Sequence, residues 1–356
     1  MIKKIPNKKF WKGKKIFITG HTSFKGTWLK IWLERLGAQV QGYSIDYPSK
    51  PNSLYKIIFK KEIKKEDILN YNHLKKKIIK FNPQIIIHLA AQSIVSEADK
   101  YPMKTFNTNI IGTASLLEAA TYSKKTELVA IITTDKCYED NEFIKYYNEK
   151  SILGGSEPYS SSKACAEIIS KSYLQKYKLL NKKIITLRAG NVVGGGDWKK
   201  DRLVPDILNA IKLKKKLILR KPNSSRPWQH VLDCLNGYLL SIEYSYKKNI
   251  FFNTWNFSPP LLNQIKVIDF VKQIIPNFDY SFKNIKIEKK KLYETKRLNL
   301  SSQKANKEIK WQTVLSSENL IKFIIEWYDL FYQKNDAKLL CLDQIKKFCI
   351  LAKKSK

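Results

Sequence analysis

The sequence predicts an α/β protein built on a doubly wound parallel sheet with helices on both faces. Three observations carry that expectation. Short, continuously apolar runs at 15–19, 85–89, 129–133 and 183–187 alternate with helix-length segments, the pattern of strands buried on both faces. The first run ends in a glycine-containing turn, Thr19 to Gly26. The residues best suited to chemistry follow the ends of the apolar runs, where ligands bind in open parallel sheets.

Taken in order, 15–19 reads as a strand closed by Gly20, and 28–36 as a helix with Gly37 placed to end it. Residues 40–45 form a second strand, stopped by Asp46 and Pro48. A helix over 71–81 stops before Pro83 and leads into the strand 85–89. Helices over 109–122 and 161–179 flank the strands 129–133 and 183–187. Beyond residue 188, Gly194-Gly195-Gly196, Pro205, Pro222, Pro227 and Pro259-Pro260 break the pattern into short pieces. The expected organisation is a cofactor domain over 1–187 with a returning segment near 228–258. A smaller mixed α/β substrate-binding domain covers 188–227 and 259–333, including an amphipathic helix over 316–331. Residues 334–356 are Lys-rich and read as a loosely packed C-terminal extension.

Composition narrows the function. The net charge is +35, which invites a polyanion-binding reading. Of the 66 basic residues only six are arginines, however: Arg35, Arg188, Arg202, Arg220, Arg226 and Arg297. Nucleic-acid interfaces favour forked arginine contacts. Scattered lysines among many Ile and Asn fit an A/T-rich coding bias better, so no nucleic acid is expected. No apolar stretch reaches the roughly 18 residues that span a bilayer, and the start does not read as a secretory signal. Five scattered cysteines without a CxxC pair imply reduced thiols, no metal site and a cytoplasmic location.

The turn Thr19-Gly20-His21-Thr22-Ser23-Phe24-Lys25-Gly26 suits a dinucleotide. Gly20 permits a tight turn, Gly26 permits close helix–sheet packing, and a helix N-terminus offers free N–H groups to a pyrophosphate. Ser23 stands where a second glycine is usual, with Phe24 beside it. Asp46, 26 positions after Gly20, is placed to accept from the adenosine ribose and favours NAD over NADP. Asp67 and Ile68 are placed to read the adenine edge. Leu89, Ala90 and Ala91 close the 85–89 run with small residues, and Thr133 ends the next one. These define a Rossmann-type NAD site.

Tyr159 and Lys163 have the spacing that puts two side chains on one helix face. A tyrosine ionises near about pH 10. A neighbouring ammonium and the oxidised nicotinamide lower that, and with both in place Tyr159 is expected to act as a base near neutrality. Thr134-Asp135-Lys136 follows the preceding strand and supplies an acid/base pair for eliminating water.

The chain resembles the extended short-chain dehydrogenase/reductases, and within them the CDP-glucose 4,6-dehydratases. The motifs are Phe10-Trp11-Lys12-Gly13-Lys14, Thr19 to Gly26, His88-Leu89-Ala90-Ala91-Gln92, Asp135-Lys136-Cys137-Tyr138 and Tyr159 with Lys163. Further on come Arg188-Ala189-Gly190-Asn191, Gly195-Gly196-Asp197-Trp198, Asp201-Arg202 and Arg226-Pro227-Trp228-Gln229-His230. The resemblance implies a catalytic set of Thr134, Asp135, Lys136, Tyr159 and Lys163. It implies NAD reduced and reoxidised within one turnover. Tyr159 takes the C4 hydroxyl proton with Thr134 orienting that hydroxyl, Lys136 removes the C5 proton, and Asp135 protonates the departing C6 hydroxyl. Gln92, Asn191, Arg202, Arg226 and His230 are expected at the nucleotide sugar, with Arg188, Arg202 and Arg226 as a diphosphate clamp. A homodimer through 109–122 and 161–179 follows from the same resemblance. Ser96, Arg297 and Ser301 depart from its pattern. A 4-epimerase or reductase on the same fold, needing Tyr159 and Lys163 but not Asp135 and Lys136, remains the alternative. So does an inactive basic paralogue that acts as a binding protein.

Overall fold

The computed structural model describes residues 4–45, 53–60, 65–141, 143–260, 265–288 and 299–354. Asp46 and Arg297 lie outside them. Six strands form one sheet in the order β10-β5-β4-β3-β1-β2, with every neighbouring pair parallel. They are β1 (Lys15–Thr19), β2 (Gln39–Tyr43), β3 (Ile85–His88), β4 (Leu128–Ile132), β5 (Lys183–Ala189) and β10 (Phe252–Phe257). Three two-stranded pieces lie outside that sheet. β6 (Val192–Val193) pairs with β9 (Gln229–His230), β8 (Ser225–Arg226) with β11 (Ile265–Lys266), and β7 (Leu217–Leu219) with β12 (Ile285–Ile287).

The strands are where β-branched runs put them. All of β3 and β4 is buried, as their unbroken apolar sequences require. Strand order reverses between β1 and β3, which opens a crevice at their carboxyl ends. Apolar layers line the two faces, one including Trp28, Leu29 and Ile87, the other Phe17, Ile86 and Leu117.

The helices that position the site are α1 (Phe24–Arg35), α2 (Tyr71–Phe81), α3 (Gly112–Thr121), α4 (Pro158–Ser172), α5 (Leu203–Lys212), α6 (Val231–Lys247), α7 (Ser317–Tyr332) and α8 (Ala337–Lys354). α2 has the predicted bounds. α1 begins four residues earlier than the expected 28 because Ser23 caps it. The expected helix 109–122 enters through a π-helical turn, Asn107–Ile111. The expected helix 161–179 starts at Pro158, a favoured first position, and its last part is a separate turn, Leu174–Leu179.

Residues 334–356 are the clearest departure from expectation. Instead of a loose extension, α8 packs on α1 and α7. Its Cys341, Ile345, Phe348 and Ala352 are fully buried, with Phe348 edge-on to Trp32 at 5.7 Å. Gln344 donates to the Phe323 carbonyl at 2.6 Å. The lysines occupy the other faces and masked a helical apolar period in the composition.

Candidate active site

The glycine-containing turn is tightly built. Gly20 has φ +72, and a Cβ there would sit 2.6 Å from the Ala90 nitrogen. A Cβ on Gly26 would sit 2.2 Å from the Gly20 carbonyl oxygen. Only glycine fits either place. Ser23 is not strained: its φ is −70, ordinary for any residue. Its Oγ donates to the Gly20 carbonyl at 2.7 Å and accepts from Gly26 N at 3.2 Å. The middle glycine position of this turn therefore needs a helix cap more than it needs a glycine. Ser23→Ala should lower stability by about 1 kcal/mol and Ser23→Gly by only a few tenths, roughly, measured by denaturant unfolding. Phe24 follows, its ring tip 3.3 Å from where a Cβ on Gly194 would stand.

Beneath the turn lies a buried relay. The Thr19 hydroxyl meets His88 Nδ1 at 2.6 Å, and His88 Nε2 meets the Thr113 hydroxyl at 3.2 Å. Burial, with the nearby Lys163 charge, pushes His88 down to about 3, so its ring is neutral. Ala90 N donates to Thr19 Oγ1 at 3.2 Å, and Leu89 N to the Thr19 carbonyl. Leu89, Ala90 and Ala91 are partly exposed there. Asp67 is exposed, while Ile68 turns its side chain into the core against Gly112.

On the other side of the crevice, Thr134 opens a short 3₁₀ turn, Asp135–Cys137. Its hydroxyl donates to Asp135 Oδ1 at 2.8 Å and accepts from Lys136 N. Asp135 is buried, and burial raises its carboxyl above the usual carboxylate range despite Thr134, Lys136 and Arg226 nearby. Gly190 makes room for it: a Cβ there would lie 2.9 Å from Asp135 Oδ2. Lys136 is partly exposed and lines a cleft with Tyr138, Asp140, Tyr147, Gly155, Ser156 and Ser160.

Tyr159 and Lys163 stand on α4, whose N-terminus is capped by Glu157 accepting from Tyr159 N and Ser160 N. Burial of the Tyr159 hydroxyl pushes it up to about 12, while a hydrogen bond with Thr134 and the Arg202 charge pull it back. Lys163 is lowered to about 8 by burial and the Lys25 charge, and its Nζ donates to the Ile132 carbonyl at 2.8 Å. The expected phenol near neutrality is thus not what the protein alone supplies. Desolvation outweighs its polar neighbours, and the ammonium is anchored on β4.

Several residues expected at the substrate turn inward. The Gln92 amide donates to the Ile94 carbonyl and Thr105 hydroxyl, and Gln92 N donates to Asn109 Oδ1. His230 is fully buried and caps α6 by accepting from Leu232 N. Arg188, expected in the diphosphate clamp, instead makes a forked pair with Glu167 at 2.9 Å for both contacts. Thr133 donates to the same carboxylate. Buried polar groups need partners, and Gln92, Arg188 and Thr133 find them within the protein, while His230 is bonded through Nδ1 and its Nε2 is left without a hydrogen bond. Arg202 remains near the crevice, donating to Asp197 at 2.8 Å and Ser93 at 3.3 Å. Arg226 donates to the Ser225 carbonyl and its charge reaches Asp135. Asn191 is partly exposed beside them, its carbonyl accepting from Gln229 N. Ser96 joins Asp201, which also accepts from Arg220.

The family model described as GDP-mannose 4,6 dehydratase matches residues 17–324. The chain belongs to that family. Among curated members of the wider group, it is 36% identical to CDP-glucose 4,6-dehydratase of Salmonella typhimurium, over 94% of this chain and 96% of that one. It is 29% identical to dTDP-D-glucose 4,6-dehydratase of Dictyostelium discoideum, over 73% and 61%. The same fold appears in dTDP-glucose 4,6-dehydratase from Bacillus anthracis in complex with NAD, at 22% identity and TM-score 0.74, covering 90% of this chain and 98% of that one. An epimerase from Methanothermobacter thermautotrophicus gives TM-score 0.78 at 20% identity, covering 92% and 95%. Within this 4,6-dehydratase family chain, Glu167 is the residue the sequence reading missed. It continues the spacing Tyr159, Lys163, Glu167 by one more helical step, and a carboxylate on that buried face was its available signal.

Proposed function

We propose that the chain dehydrates CDP-glucose to CDP-4-dehydro-6-deoxyglucose with NAD as a recycled cofactor. The observation that carries this reading is the Asp135–Lys136 turn. It sets a buried carboxyl, which burial raises above its ordinary value, next to Lys136 and near Tyr159. A 4-epimerase has no use for such a pair, because it eliminates no water. The similarity to the Salmonella enzyme supports CDP-glucose.

The turn at Gly20 and Gly26 fits a dinucleotide: it has no room for a Cβ and leads into the N-terminus of α1. Ser23, Phe24, Leu89, Ala90 and Ala91 would hold NAD, with Lys163 at its nicotinamide ribose. Bound NAD supplies the acceptor and later the donor of hydride. The protein's own groups do the proton work. Tyr159, whose phenol needs stabilisation beyond its resting surroundings, takes the proton of the C4 hydroxyl. Once C4 is a ketone, the C5 proton is acidic and passes to Lys136. The C6–O bond breaks as Asp135 gives its proton to the departing oxygen, which leaves as water. Arg202 and Arg226 would hold the diphosphate.

Division into a cofactor domain and a smaller lobe carrying β7, β8, β11 and β12 belongs to this reading. So does a homodimer through the 109–122 and 161–179 region, where Ile111 and Ile168 are exposed. The chain is taken to work in the cytoplasm. No helix among the described residues is long and apolar enough to cross a membrane.

The test is incubation of purified protein and NAD with CDP-glucose, following the alkaline absorbance of a 4-keto product, with dTDP-glucose run in parallel. CDP-glucose should be consumed at least about 10-fold faster, a difference of about 1.4 kcal/mol in transition-state binding. No 4-keto product from either sugar would overturn the reading.

A further inference from the structure

Behind the proposed proton-transfer groups lies a chain of buried polar contacts that none of the steps above uses. Glu167 on α4 takes both prongs of Arg188 on β5 and the Thr133 hydroxyl at the end of β4. Burial alone would raise the Glu167 carboxyl. The Arg188 charge and hydrogen bonds outweigh it and hold the group below the usual carboxylate range. Glu167 is therefore charged, and the Arg188–Glu167 pair is neutral overall. The remaining Arg188 prong, Nη1, donates to the Tyr138 hydroxyl at 2.6 Å. That hydroxyl donates in turn to Asn256 Oδ1 at 2.8 Å, on β10. The guanidinium also lies 4.9 Å from the centre of the Tyr138 ring.

Three strands of the sheet, β4, β5 and β10, and α4 are tied together by this chain, and Tyr138, itself 4% exposed, is its member at the cleft. Tyr138 immediately follows the Asp135–Cys137 turn. Its ring is 5.2 Å from that of Tyr147, nearly parallel, and both rings wall the cleft that holds Lys136. Tyr147 is fixed differently. Its hydroxyl accepts from Asn141 N and donates to the Asn141 carbonyl, and its backbone pairs with Asn299 and Ser301. The two stacked rings thus share a wall; the Tyr147 backbone carbonyl also accepts from Asn256 Nδ2 at 3.2 Å, but of the two side chains it is Tyr138's that meets Arg188 and, through it, the helix that carries Tyr159 and Lys163.

A short 3₁₀ turn has little stiffness of its own. Asp135 and Lys136 must serve two adjacent carbons of one sugar, while Tyr159 serves the next carbon along. Errors of about 1 Å in such placement cost on the order of 100-fold in rate. We propose that Tyr138 is a positioning residue for the elimination half of the reaction: through Arg188 and Glu167 it registers the Asp135–Lys136 turn against α4. This rests on the dehydratase reading. The step it governs breaks C5–H and C6–O, forms the C5=C6 double bond, moves one proton to Lys136 and one from Asp135, and releases water. Oxidation at C4 depends on Tyr159 and precedes it.

The test compares wild type, Tyr138→Phe and Tyr147→Phe with NAD and CDP-glucose. Three quantities are read: kcat, KM, and the near-ultraviolet absorbance of reduced nicotinamide during turnover. For Tyr138→Phe, kcat should fall about 10- to 100-fold with KM within about 2-fold. Reduced nicotinamide should accumulate, because oxidation proceeds while elimination stalls. Tyr147→Phe alters the same wall without touching the Arg188–Glu167 anchor and should show no accumulation of reduced nicotinamide. A partial loss of folded protein would scale kcat without producing that absorbance. If Tyr138→Phe does not fold, Arg188→Lys keeps a positive charge for Glu167 but removes the Nη1 donor to the Tyr138 hydroxyl, and is read in the same way. Wild-type values for the altered protein, a fall in kcat without accumulation, or the same accumulation from Tyr147→Phe would each overturn the proposal. Failure of the wild-type protein to form product would instead reject the dehydratase reading.

Discussion

Lys136→Ala should reduce formation of the 4-keto-6-deoxy product by about 10²- to 10⁴-fold, the range of a lost general base. The side chain is partly exposed on a turn, so folding should survive its truncation. What disappears is the group that takes the C5 proton. Two measurements check this: product by its alkaline absorbance, and wash-in of solvent deuterium at C5. Both should fall together. An epimerase on the same fold would invert C4 without Lys136, so unchanged turnover in Lys136→Ala would decide for that alternative. Asp135→Asn gives a partly independent check, because the amide keeps the shape and the Thr134 contact but has no acidic proton to give.

Glu167→Ala should destabilise the fold by about 3–5 kcal/mol, the cost of leaving a buried charge without its partner. Arg188 is only 3% exposed. Removing the carboxylate also strands the Thr133 hydroxyl. Denaturant unfolding of wild type and variant measures the difference. Glu167→Gln should lose less, since its carbonyl oxygen can still accept from one Arg188 prong. The pH dependence follows from the same pair. The folded Glu167 carboxyl lies below its ordinary value, so the stability it contributes is complete above the ordinary carboxylate range. It is lost as pH falls through the folded value.

Much of the framework was legible because it is local. Unbroken apolar runs named β1, β3, β4 and β5, and the helical run ending before Pro83 located α2 closely enough that its bounds matched. The glycine turn, the Asp135–Lys136 turn and the Tyr159–Lys163 spacing were also visible, since each is set by neighbours within a few residues. What stayed hidden depends on distant partners. Arg188 reads like a phosphate ligand until Glu167, 21 positions earlier, is folded beneath it. Gln92 and His230 look available until burial gives them internal roles. Ser23 looked like a defect because a family glycine was expected, but its ordinary φ shows that the turn asks nothing unusual of that residue. The basic composition misled at 337–354, where lysines on the outer faces concealed an apolar stripe.

That last helix bears on how the protein is made. α1 carries the dinucleotide turn and leaves the ribosome early, yet part of its apolar surface, Trp32 among it, packs against α8. About 300 residues separate Arg35 from Ala337. At roughly 5–20 residues per second, synthesis needs about 15–60 seconds to bring that cover out. Through this interval Trp32 lacks its Phe348 neighbour, and a chain cut short before Ala337 would never gain it.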